Sequence, residues 1–186
     1  MELDSLVGQG TVLQCLGFVV TQCYGAARLT ADFDVLWSVA PREISTEMAG
    51  RGSAFSKKYK MYVDVVTVAE FTYEYESRLI DIYPGAFRHL RLRVLDPYDI
   101  ALAKLGQNND RDREDVLFLA QTVPFDLDLF ESRFREELEP NLMGNAREKA
   151  DWFQSWLVDI RDERSKHGSI RSSQPLGSHT DSSGAL

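Results

Sequence analysis

Asp32 and Asp34 stand two residues apart in Asp32-Phe33-Asp34-Val35-Leu36-Trp37-Ser38-Val39, a stretch that reads as a strand. Alternate side chains of a strand share a face, so both carboxylates point one way while Phe33 and Val35 point the other. One strand thereby offers two oxygen ligands to a hard cation. Spacing alone says little, because Asp110/Asp112 and Asp126/Asp128 repeat it. What sets the first pair apart is a third acid, Asp64, in the middle of Met61-Tyr62-Val63-Asp64-Val65-Val66. A carboxylate in such an apolar run is costly to bury without a partner or a metal; the alternative is a strand-end carboxylate that reaches solvent or an arginine. Three convergent carboxylates suit Mg2+, or Mn2+. A pair of such ions is the usual clamp for phosphoryl or nucleotidyl transfer.

Residues around the acids fit the same chemistry. Gly17 and Gly25 allow close backbone approach, and the helix expected between them would aim N–H groups at an anion. Arg28 and Thr30 precede the aspartates, where a guanidinium and a hydroxyl could hold a triphosphate. Each glycine taken singly equally suits a turn. Lys104 sits between apolar residues of a helical pattern, where the plainer reading is a lysine whose stem snorkels along the surface. Arg111 to Asp115 reads most simply as a solvated helix start with acids near the positive end. His89, His167 and His179 form no zinc-ligand spacing with the cysteines, and no Ser-His-Asp or Cys-His arrangement is suggested.

The elements that must position these groups follow from periodicity. Residues 13–39 read as a turn, a short helix, a loop and a strand. Residues 40–56, opening on Pro41 with Glu43 and Glu47 early, suit a helix ending near Gly50 or Gly52. Tyr59 to Val68 is β-branched and aromatic, the strongest strand signal in the chain. His89 to Leu95 alternates Leu90, Leu92 and Val94 with Arg91 and Arg93, predicting one buried and one basic face. After Asp96-Pro97 the apolar period changes to 3.6, with helices closing at Leu105, around Val116 to Ala120, over Leu127 to Leu138 and over Ala146 to Ile160. The expected class is α+β, a small mixed sheet with a C-terminal helical part. The expected division is a core over 1–105, a helical extension over 106–164, and a Ser- and Gly-rich disordered tail over 165–186.

Composition narrows the function classes. The 186 residues are 44% hydrophobic and 27% charged, enough for a real core. Net charge is −8, and the acidity is uneven: residues 1–105 carry 11 basic and 13 acidic side chains, residues 106–164 carry 8 and 15. Coating of nucleic acid by bulk charge is excluded, whereas a local basic patch is not, since Arg51, Lys57, Lys58, Lys60, Arg88, Arg91 and Arg93 gather in the first half. No apolar run approaches the roughly 20 residues that span a bilayer, and Met1-Glu2-Leu3-Asp4 is acidic where a signal peptide is basic. A cytoplasmic protein without membrane association is expected. Cys15 and Cys23 read as two small hydrophobes rather than a disulfide.

The stretch from Leu16-Gly17 through Gly25, Arg28-Leu29-Thr30-Ala31-Asp32-Phe33-Asp34 resembles the glycine, then Arg-x-Thr-x-Asp-x-Asp signature of minimal nucleotidyltransferases of the DNA polymerase β superfamily. Downstream, Leu95-Asp96-Pro97-Tyr98-Asp99-Ile100-Ala101-Leu102-Ala103-Lys104-Leu105, followed by Arg111-Asp112-Arg113-Glu114-Asp115-Val116, looks like a bacterial branch related to abortive-infection nucleotidyltransferase toxins. The resemblance spans about residues 10–160 and rests on motifs in order. It implies Asp32 and Asp34 as metal ligands, Asp64 as the third acid that helps deprotonate the attacking hydroxyl, Lys104 on the nucleotide phosphates, and Asp112 and Asp115 as supporting acids. It implies Mg2+ (or Mn2+), an NTP substrate, an acceptor such as a tRNA 3′ end or a protein hydroxyl, and an antitoxin partner. The chain departs from the pattern in one place: Gly17-Phe18 stands where two adjacent glycines are usual, and a side chain there would crowd the phosphate approach. The alternative is a non-catalytic nucleotide-binding or partner-binding module on the same fold.

Overall fold

Two short strands without a clear sequence signal complete the sheet that carries the acids. The computed structural model describes residues 2–16, 23–25, 31–36, 44–66 and 70–172. Gly17, Arg28, Thr30 and the short helix expected after Gly17 lie outside the described residues. The chain opens with α1 (Glu2–Leu6) and β1 (Thr11–Cys15), then β2 (Asp32–Leu36), α2 (Thr46–Ala49), α3 (Ala54–Tyr59) and β3 (Tyr62–Val66). β4 (Ile80–Ile82) and β5 (Leu90–Val94) lead into α4 (Pro97–Ala103), α5 (Asp110–Thr122), α6 (Leu127–Arg133) and α7 (Ala146–Ser172). The fold is α+β, with the strands in the order β3-β2-β1-β5-β4. β2 runs parallel to β3 and β1 parallel to β5; β1–β2 and β4–β5 are antiparallel.

Local chemistry sets the boundaries. Ser45 caps α2 by accepting from the Met48 N–H, and Ser53 caps α3 by accepting from the Ser56 N–H. The helix expected to end near Gly50 or Gly52 is the short α2, which stops at Gly50, with α3 a second helix beyond Gly52, and residues 40–43 lie outside the described part. Tyr59, expected in the strand, closes α3, because Lys60 turns left-handed with φ 56° and ends the helix. Asp96 caps α4, followed by Pro97 in the first turn, where a missing N–H costs nothing. α6 continues as a π-helical turn, Phe134–Leu138. α7 runs beyond Ile160 to Ser172, into the segment expected to be a tail. Its C-terminal half is tied back by Arg164, which donates to the Ala120 carbonyl at 3.1 Å and to that of Phe125.

Two apolar clusters hold the molecule together. One joins Leu13, Cys15, Phe33, Val35, Val63, Leu92 and Val94 of the sheet to Ile100 and Leu119 of the helices above it. The other lies among the helices, around Leu102, Leu105, Val116, Phe130, Phe134, Phe153 and Trp156. Phe134 and Phe153 stack with ring centroids 4.0 Å apart. α4 and α5 contribute to both clusters and so form their common wall. A polar staple crosses the same boundary: Arg78 donates to both Asp99 carboxylate oxygens and to both Glu137 oxygens, at 2.7–3.1 Å. Cys15 and Cys23 are free thiols, Cys15 within the sheet core. Among the described residues no helix is long and apolar enough to cross a membrane.

Candidate functional site

The register of β2 and β3 sets Asp32 opposite Tyr62 and Asp34 opposite Asp64. Opposed residues of a parallel pair point to the same face, so Asp32, Asp34 and Asp64 share one side of the sheet. Phe33, Val35 and Val63 alternate onto the other side and are buried in the core. Asp32 and Asp34 are half-buried and Asp64 is exposed, on an edge strand. The other two Asp-x-Asp pairs have plain structural uses. Asp110 and Asp112 occupy the first turn of α5, and Asp126 caps α6 by accepting from the Asp128 and Leu129 N–H groups. Only the first pair lies on a strand.

The donor set suits a hard cation. Among the described residues no three His, Cys, Asp or Glu side chains stand as a ready-made metal cage. Mg2+ does not require one, since it is usually held by one or two carboxylates with phosphate oxygens and waters in its remaining positions. The register puts Asp32, Asp34 and Asp64 on one face, but the three carboxylates do not converge into the cluster expected from the sequence.

The same sheet face carries the opposite charge at its far side. Val12 and Gln14 of β1 pair with Arg91 and Arg93 of β5, and Cys15 pairs with Val35, which puts both guanidiniums on the carboxylate face. They are engaged with Asp81 of β4, Arg91 at 2.5 Å and Arg93 at 3.1 Å. Between the two charged zones the Gln14 side-chain oxygen is buried without a hydrogen-bond partner among the described residues. Lys58, from the other basic run, pairs with Glu2.

Lys104, Asp112 and Asp115 are brought together in the helical half. The Lys104 ammonium lies 3.0 Å from Asp112 and 2.7 Å from Asp115, with all three side chains largely buried. Lys104 begins a 3-10 turn after α4, and Asn109 caps α5 by accepting from the Asp112 N–H, so the cap fixes the acid that meets the lysine. The lysine therefore does not snorkel along the surface. One Asp112 oxygen is buried with no hydrogen-bond partner among the described residues. Gly25 adopts φ +81°, a left-handed conformation, and a Cβ there would meet no atom within 4 Å. Tyr24 beside it has its hydroxyl pushed up to about 12, by burial first and then by Cys23 and Asp96.

One residue at this face has no motif to announce it. Arg51, in the turn between α2 and α3, places its guanidinium 4.5 Å from the centre of the Tyr62 ring and donates to the Tyr62 hydroxyl. Tyr62 is the register partner of Asp32 and shares a face with Asp64, so Arg51 stands over the carboxylate side of the sheet.

A family model described as nucleotidyltransferase of unknown function (DUF6036) matches residues 12–163. No curated protein and no solved structure matches the chain.

Proposed function

The chain belongs to that family of nucleotidyltransferases, and from this premise we propose a metal-dependent enzyme that moves a nucleoside monophosphate from an NTP to an acceptor hydroxyl. The observation that carries the reading is the register of Asp34 with Asp64 beside Asp32, three carboxylates on one sheet face. Asp32 and Asp34 would hold Mg2+ or Mn2+, which when bound neutralises the triphosphate and stabilises charge developing at the transferred phosphorus. Asp64, exposed at the edge, accepts the proton of the acceptor hydroxyl. The acceptor oxygen forms its bond to the α-phosphorus as the bond from that phosphorus to the β-phosphate bridging oxygen breaks, and pyrophosphate leaves. Gly17, Gly25, Arg28, Thr30 and Lys104 are the nucleotide-side residues of this reading, with Asp112 and Asp115 holding the Lys104 ammonium.

For the acceptor, we take a tRNA 3′ end first and a protein hydroxyl second, in a toxin–antitoxin setting with an antitoxin partner. Arg91, Arg93 and Lys58 are less available for such an acceptor than their number suggests, because Asp81 and Glu2 already engage them. A second reading, a nucleotide-binding or partner-binding module without turnover, draws on Gly17-Phe18, where a phenylalanine side chain adjoins the expected phosphate approach.

The test is incubation with each α-32P-labelled NTP, Mg2+ and total tRNA or cell lysate. Label should pass to one acceptor, and Asp34→Asn and Asp64→Asn should each reduce transfer by more than about 100-fold, the scale on which preorganised electrostatic groups act. Asp126→Ala, which removes only a helix cap, should cost about 1 kcal/mol of stability and leave transfer intact. Nucleotide binding without transfer by wild-type protein would favour the second reading.

A further inference from the structure

We propose that Arg51 is a phosphate-binding residue of the carboxylate face, aimed by Tyr62; this rests on the reading of that face as a nucleotidyl-transfer site. The turn that presents Arg51 is fixed by its own chemistry. At Gly50 an added Cβ would lie 2.6 Å from both the Thr46 methyl and the Thr46 carbonyl oxygen, so no side chain fits. Gly52 takes φ +86°, a left-handed conformation. Around them the Gly50 N–H donates to the Thr46 carbonyl at 2.9 Å, the Ser53 N–H to the Gly50 carbonyl at 3.1 Å, and the Gly52 N–H to the Ser56 hydroxyl at 3.0 Å. Two conformationally required glycines thus flank a single arginine on a hydrogen-bonded turn.

The side chain is then held in one direction. Its plane lies over the Tyr62 ring, an arrangement favoured by the ring's negative face, and one arm of the fork is spent on the Tyr62 hydroxyl. Arg51 is exposed, and among the described residues that hydroxyl is the one acceptor its guanidinium meets. Five N–H donors in a planar fork leave the greater part of the hydrogen-bonding capacity facing outward. A guanidinium held over an aromatic ring on the face that carries three carboxylates is poorly explained as a stability device, since an exposed pair of this kind contributes little. It is well explained as a phosphate clamp, because the fork matches two phosphate oxygens at once. Lys57 and Lys60, both exposed on or next to α3, add positive charge along the same approach. The phosphate could belong to the nucleotide or to a nucleic-acid acceptor; the chemistry recognised is the same.

Full-length wild type, Arg51→Gln, Arg51→Lys and Tyr62→Phe would be titrated with each NTP in Mg2+ and with a short single-stranded RNA, over a range of salt. Arg51→Gln is expected to weaken binding of one of these ligands at least tenfold and to lower its salt slope by about one. Arg51→Lys should recover part of the loss, and Tyr62→Phe should lose less than Arg51→Gln. Loss for the NTPs alone assigns the nucleotide's phosphate; loss for RNA alone assigns the acceptor's. If wild type binds and Arg51→Gln binds both ligands within twofold of it, the proposal is overturned while the reading of the site stands. If wild type binds neither ligand, both fall together.

Discussion

Lys104 carries one positive charge between two buried aspartates, and removing it would take away the cation that Asp112 and Asp115 share. Breaking a buried ion pair from one side costs about 3–5 kcal/mol. Lys104→Met should therefore lower the unfolding free energy by that amount, as read from urea denaturation, and Lys104→Met/Asp112→Asn should recover part of it. A loss below about 1 kcal/mol would mean that solvent screens the triad as it does surface pairs. At this scale the shared face of the acids was legible in the sequence, since an aspartate pair at strand spacing and a lone aspartate in a β-branched run need only alternation and register to lie on one side of the sheet. Arg51 was legible only as one member of a basic run. Its role depends on Tyr62, eleven residues away along the chain and placed under it by a turn, and a lone arginine between glycines has no period to reveal it.

The α2–α3 turn shows how short elements can hold a site residue. Ser45 and Ser53 cap its helices, and Gly50 packs where a methyl group would collide with the preceding turn. Gly50→Ala should destabilise the protein by about 1–3 kcal/mol, as overpacking does, and reduce ligand binding in parallel with Arg51→Gln; calorimetry and the same titrations would read both. If binding survives, the direction of Arg51 does not depend on the turn. Sequence patterning found the long helices and the strands containing Asp64 and Arg91 because each buries one periodic face. It missed α1 and β4, which are five and three residues long, and β1, which is as long as β5 but buried at four of its five positions and so shows no alternating face. The boundary at Tyr59 was misread because a β-favouring residue was counted toward the strand, while serine capping and the left-handed Lys60 placed it in the helix.

Across the molecule, the N-terminus is bound to distant parts of the chain by charge. The Asp4 carboxylate accepts from the backbone N–H groups of Arg88, His89 and Leu90 at 2.8–3.0 Å. The His89 N–H holds its pKa below the ordinary aspartate value, with burial opposing and the Arg88 and Leu90 N–H groups assisting. A depressed folded value means that this contribution is complete above the unfolded value of about 4 and is lost as pH falls through the folded one. Asp4→Asn should be less stable than wild type at pH 7, and the difference should shrink as the pH is taken below about 4, as urea midpoints across that range would show. A difference independent of pH would assign the effect to packing. At the same scale, α4 and α5 serve two cores at once, with Ile100 and Leu119 toward the sheet and Leu102 and Val116 toward the helices. The composition shift near residue 105 is real in the sequence, yet the packing runs through it, because one helix can bury two faces.

The placement of β1 has a consequence in time. It lies at the centre of the sheet, antiparallel to β2 on one side and parallel to β5 on the other, with Thr11 opposite Leu90. During synthesis β1 is made well before β5, and its β5 edge stays open until the chain between Cys15 and Leu90 has followed. Parallel pairing over such a separation is slow to form. The nascent protein therefore carries an unpaired, apolar strand edge for most of the time the sheet is being made, and that interval is where a chaperone or an early-binding partner would act on it.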